Sequence, residues 1–203
     1  TANGTLKITT TTIQNGKFTF STSSESSIFN TTGTFIINNS GQFIFADVSG
    51  SNTFTAGNYI IVNNSGLFTF NNASSLNTLN SNSYLRINNN GKFICSNGSG
   101  SSTLTLGTDL LINNTGSLML ENTSSLTGTT QINVLRNLTS SSTAAKAIDF
   151  GFGDVTGNTI YVKGNFAKSG TGVFTTSSTT SAPTGFVFNG PKQGFAYTGT
   201  ESA

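Results

Sequence analysis

The feature that most constrains this chain is a repeat of fixed length. Gly16, Gly41, Gly66, Gly91 and Gly116 recur every 25 residues without insertion, and self-similarity at a fixed period marks a repeat architecture. Behind each glycine comes an alternating pair: Phe18 and Phe20, Phe43 and Phe45, Phe68 and Phe70, Phe93 and Cys95, Leu118 and Leu120. Alternation with period two is the strand signature, with these side chains turned to one face. A second strand ahead of the glycine carries Phe35 and Ile37, Ile60 and Val62, Leu85 and Ile87, Leu110 and Ile112, and a third column holds Phe29, Phe54, Leu79 and Leu104. A 25-residue unit cannot bury its own aromatic pair. Stacking such units about 4.8 Å apart closes the core into a column, which predicts an all-β, parallel β-solenoid (β-helix) with three short strands per coil.

Asparagine pairs, Asn38-Asn39, Asn63-Asn64, Asn88-Asn89 and Asn113-Asn114, precede the glycines. At a corner, stacked amides can bond to one another up the axis and tolerate a left-handed backbone, and glycine is expected to supply the same freedom. Three of the Asn-x-Ser/Thr sequons, at Asn38, Asn63 and Asn113, fall in this ladder, where a glycan would break the stack. Residues 1–137 therefore read as the regular solenoid. From 138 to 203 the interval loosens: polar stretches at Thr139–Thr143 and Ser177–Ser181 read as lengthened corners, while Ile160-Tyr161-Val162 and Phe186-Val187-Phe188 keep the strand rhythm of the same domain. The whole amounts to about eight coils.

Composition narrows the chemistry. The chain has no His, no Trp and one Cys, which excludes imidazole catalysis, disulfide scaffolds and Cys/His metal cages. Nine Lys and Arg against seven acids, net +2, are too sparse for a row of phosphates or an anionic membrane, so neither nucleic acid nor membrane insertion is expected. Polysaccharide-acting β-helix enzymes need carboxylates gathered on one face. Here Asp47 and Glu121 fall about three coils, roughly 14 Å, apart, and Glu25 and Asp109 sit at other corners. Asp149 and Asp154, flanking Phe150-Gly151-Phe152-Gly153, are the one candidate pair, and they lack the dense alternating acids of a calcium loop. Cys95 falls in an inward column and reads as an inert buried thiol. No catalytic, cofactor or metal residue is assigned, and the chain reads as not an enzyme.

What remains is a stiff rod, more than half Ser, Thr, Asn and Gly, suited to spacing and to weak multivalent contacts with extracellular glycans, with other surfaces or with neighbouring coils of the same long protein. An alternative is an ice-binding face. Thr53 and Thr55, Thr78, and Thr103 and Thr105 turn outward on stacked strands, interrupted by Asn80 and flanked by Ile28-Phe29-Asn30 and Gly128-Thr129-Thr130. Thr is also a common strand former, which accounts for an ordinary exposed face.

The run Val162-Lys163-Gly164-Asn165-Phe166-Ala167-Lys168-Ser169-Gly170-Thr171-Gly172-Val173-Phe174, the later Gly185-Phe186-Val187-Phe188-Asn189-Gly190, and coils such as Ile36-Ile37-Asn38-Asn39-Ser40-Gly41 resemble the repeat regions of large secreted Bacteroidota surface proteins, the Flavobacterium-like gliding and adhesin group. The resemblance implies type IX secretion, an extracellular or cell-surface place, and an adhesive role within a much longer parent. Strand rhythm starts at Leu6 and Ile8, and the tail from Phe195-Ala196-Tyr197 to Ala203 carries no helical or charged cap. Both ends are thus expected to continue, or to be covered by neighbours.

Overall fold

The computed structural model describes residues 5–20, 26–45, 50–71, 76–96, 99–121, 128–151, 157–175, 185–191 and 193–197. They form a parallel β-solenoid of three sheets, two with eight strands and one with seven, each ordered by every third strand of the chain. One coil runs Asn77–Ser81, Leu85–Ile87 and Lys92–Ser96, contributing in turn to the first, second and third sheet. Equivalent positions lie over one another: Phe29 pairs with Phe54, Phe54 with Leu79, Phe43 with Phe68 and Phe68 with Phe93.

Stacking is what makes these residues a core. Phe29, Phe35, Phe43, Phe45, Phe54, Phe68, Phe70 and Phe93 are fully buried. Phe45 lies 5.6 Å from Phe20 and 5.4 Å from Phe70, nearly parallel to both, and Phe29 lies 5.1 Å from Phe54. Other neighbours meet edge to face, as Phe43 and Phe68 do at 5.0 Å. Both geometries suit the ring quadrupole. Cys95 completes its column, also fully buried.

The corners differ from expectation in one respect. The left-handed residues are not the glycines but the pair ahead of them: Asn39 and Ser40, Asn64 and Ser65, Asn89 and Asn90, at φ between 47° and 67°. Asparagine tolerates this region because its short side chain bonds locally. Gly41, Gly66, Gly91 and Gly116 are required instead for space. A Cβ on Gly66 would stand 2.8 Å from the Ile37 carbonyl oxygen one coil earlier and 2.9 Å from that of Asn63. The same corner is closed within its own coil by the Gly66 N–H donating to Asn63 O at 2.9 Å.

The interval departs from 25 earlier than residue 137. Thr103 pairs with Gln131 and Leu110 with Leu138, both 28 residues on, so the first insertion lies between Glu121 and Thr130. A second correction concerns Thr139–Thr143, expected as a loop: Leu138–Ser142 is a strand. Its Ser140 and Ser142 are 1% exposed; Ser140 lies in the column that runs Ile87, Ile112, Ser140, Lys168, and Ser142 pairs with Asn114. Ser142 Oγ donates to Gly116 O at 2.8 Å, whereas Ser140 Oγ has no partner. Ser177–Ser181 lies outside the described residues. A polar column also lines the corner into the first sheet. Ser27 N–H donates to Asn52 Oδ1 and Asn52 N–H to Asn77 Oδ1, both at 2.9 Å, with Asn52 and Asn77 buried.

Two substitutions separate these roles. Gly66→Ala should destabilise the rod by about 2 kcal/mol through overpacking, while Gly16→Ala, whose Cβ would meet nothing nearer than 3.7 Å, should stay within about 1 kcal/mol of the parent. Ser140→Ala, which removes an orphaned hydroxyl, should raise stability by about 1 kcal/mol. Thermal and chemical denaturation of the three variants measures this.

Candidate functional site

Strand alternation buries Phe54, Leu79 and Leu104 and turns Thr53, Thr55, Thr78, Thr103 and Thr105 to the outer face of the first sheet, all of them partly exposed. Thr53, Thr78 and Thr103 form one column, and Thr55, Asn80 and Thr105 the next. In-strand neighbours stand about 6.8 Å apart and successive levels about 4.8 Å, a flat grid of hydroxyls and one amide. Ile28 and Asn30 border it on one side. On the other side stand Gln131 and Asn133, not Gly128-Thr129-Thr130. The longer coil places Thr130 at the buried corner, where its Oγ1 donates to Leu120 O at 3.2 Å. The array is therefore three levels deep.

The outer face of the second sheet is more varied and was not singled out from the sequence. Its central column is Ile36, Ile61, Arg86 and Leu111. Along one flank the Tyr59 and Tyr84 rings stack at 4.8 Å, 5° from parallel; two tyrosines one period apart were the available signal. Along the other runs the asparagine ladder. Asn89 Nδ2 donates to Asn64 Oδ1 at 3.2 Å and to Asn63 Oδ1 at 3.1 Å, Asn64 Nδ2 donates to Asn39 Oδ1 at 3.3 Å, and Asn113 Nδ2 to Asn88 Oδ1 at 2.9 Å. The sequons at Asn38, Asn63 and Asn113 lie in this ladder.

The two acids whose side chains are described are each held. Arg136 grips Asp109 through both arms of its guanidinium, Nε at 2.9 Å, and Asn137 donates from its backbone at 3.0 Å and its amide at 3.1 Å. Burial works to raise the Asp109 pKa, but the hydrogen bonds from Arg136 and Asn137 and the Arg136 charge outweigh it and hold the carboxyl below its ordinary value. The ladder continues as Asn165 N–H donates to Asn137 Oδ1 at 2.9 Å. Asp149 is 2% exposed. It pairs with Lys146 Nζ at 2.7 Å and accepts from Gly151 N–H and Thr175 Oγ1, both at 3.1 Å. Its expected companion Asp154, like Glu25, Asp47 and Glu201, lies outside the described residues, as does the Glu121 side chain. Among the described residues no three His, Cys, Asp or Glu gather where a metal ion fits. Burial pushes the Cys95 thiol well up, away from the reactive thiolate. No helix among the described residues is long and apolar enough to cross a membrane.

Comparison with protein-family models, curated proteins and solved structures finds no match to this chain.

The Asp109 cluster sets a pH dependence. A carboxyl with a depressed folded-state pKa contributes stability that is present above its unfolded value, about 3.9, and is lost as pH falls through the lower folded value. The melting temperature should therefore drop on acidification below about pH 4, and Asp109→Asn should remove part of that drop while lowering stability near neutrality.

Proposed function

We propose that the chain is a non-enzymatic extracellular stalk segment with an adhesive surface, part of a large bacterial surface protein of the secreted Bacteroidota kind that it resembles. The observation that carries this reading is the unbroken register of its three parallel sheets. Within each sheet every described strand is hydrogen-bonded to its equivalent one coil away, so axial load is shared and the rod lengthens by repeating one unit without redesign. The longer coils after Glu121 keep that pairing, which supports a tolerance for length variation that long stalks need. A surface of Ser, Thr and Asn with few charges suits weak, multivalent hydrogen bonding to glycans. Type IX export and a cell-surface place belong to the same reading. It is also supported by the engagement of Asp109 and Asp149 in ion pairs, which leaves both carboxylates committed to structure.

The native rod is expected to outlast its unfolded form in proteinase K by at least about tenfold and to release no unsaturated sugar ends from acidic polysaccharides. Rapid digestion throughout the strands sinks the stalk reading, and sugar release sinks the non-enzymatic one.

A second reading is favoured by one observation, the in-register columns of Thr53, Thr78 and Thr103 beside Thr55 and Thr105. A flat hydroxyl grid on a stiff sheet can order water at fixed spacings and so engage ice. Thermal hysteresis separates the two. On the stalk reading Thr55→Tyr and Thr105→Tyr leave freezing behaviour unchanged; measurable hysteresis in the parent that both variants abolish establishes the ice face instead.

A further inference from the structure

We infer that the outer face of the second sheet docks an acidic polysaccharide lying along the axis, with Arg86 seating a uronate carboxylate. The inference rests on the adhesive reading and names its ligand class. The central column of this face is aliphatic at Ile36, Ile61 and Leu111, and a cation stands in the same column at Arg86. Among the described residues no acid pairs with it. It lies over the Tyr84 ring, 5.0 Å from the guanidinium carbon, and its Nε is shielded from water with no acceptor. An orphaned donor on a charged group is destabilising, and a guanidinium laid over a ring keeps a planar fork that matches a carboxylate.

The acid that might have served is already committed. Asp109 lies one level along, beside Leu110, which pairs with Leu85, and Arg136 and Asn137 hold it. Around Arg86 the surroundings fit a sugar chain. Ile61 and Leu111 offer an apolar trough for the C–H faces of pyranose rings. On one flank stand Tyr59 and Tyr84, on the other the amides of Asn63 and Asn88, one level apart, for hydroxyl groups. A polyuronate engages the trough, the amides and the cation, whereas a neutral glycan engages only the first two. A second copy docked through this same face in a two-fold arrangement would set Arg86 near its own counterpart, a like-charge contact.

The test uses the whole chain with alginate as a linear polyuronate, hydroxyethyl cellulose as a neutral chain and dextran sulfate as a sulfated one, followed by calorimetry and sedimentation. Alginate should bind, more weakly as salt rises, and Arg86→Leu should weaken it about tenfold or more. Because leucine continues the Ile61–Leu111 column, that variant should melt at or above the parent temperature, so lost binding will not reflect unfolding. Tyr84→Ser should weaken binding as well, and Thr55→Tyr on the first sheet should not. Four results overturn the inference: no alginate binding, Arg86→Leu binding as tightly as the parent, hydroxyethyl cellulose or dextran sulfate bound as well as alginate, or dimerisation that Arg86→Leu abolishes. Each leaves the protease resistance of the rod untouched, so the stalk reading stands or falls separately.

Discussion

The structure depends on one constraint: parallel main-chain pairing between coils holds each residue over its equivalent a coil earlier. Once that register is set, like meets like. Phenylalanine packs on phenylalanine at 5.4–5.6 Å through Phe20, Phe45 and Phe70, tyrosine on tyrosine at Tyr59 and Tyr84, and amide on amide at Asn39, Asn64 and Asn89. A residue type suited to stacking is reinforced at every level, and an unsuited one is penalised twice, from above and below. The glycines show the penalty in its sharpest form, since the carbonyl of the earlier coil occupies the space where a Cβ would sit.

The same constraint explains how the polar interior is tolerated. Asn52 and Asn77 are buried, yet each amide oxygen accepts from the backbone N–H of the coil before it, so the corner where strand hydrogen bonding stops is satisfied by side chains. Asp109, Asn137 and Asn165 repeat this device at the corner into the second sheet, each oxygen accepting the N–H of a later coil. These columns join levels where the sheets cannot, which keeps the corners from becoming weak seams in the rod.

The fold was legible in the sequence because the period is strict and every Phe up to residue 137 falls on it. Phe43, Phe68 and Phe93 announce a column. The asparagines were harder, since Asn is so common that Asn52 and Asn77, one period apart and buried, look no different from exposed neighbours. Glycine misled for a physical reason: its role here is absence of bulk, which sequence cannot separate from conformational freedom. Thr139–Thr143 misled because a serine strand has no apolar alternation, and only pairing with Leu110 and Ile112 holds it in place. Of the surface features, the threonine grid was visible as Thr-x-Thr. The face around Arg86 was not, since it is set by the columns beside it and by a guanidinium with no acid partner among the described residues, neither of which a linear reading displays.

The outer asparagine ladder has a further consequence. Asn64 donates to Asn39 and Asn89 to Asn64, always toward the earlier coil, while the inner ladder at Asn52 and Asn77 donates the other way. The rod is therefore a vector. Turned end over end it would show a polymer, itself possessing a reducing and a non-reducing terminus, a reversed sequence of donors and acceptors. A chain with distinct ends, docked as inferred for the second sheet, would therefore meet inequivalent donors and acceptors in its two senses, and an array of such rods would comb it into one orientation.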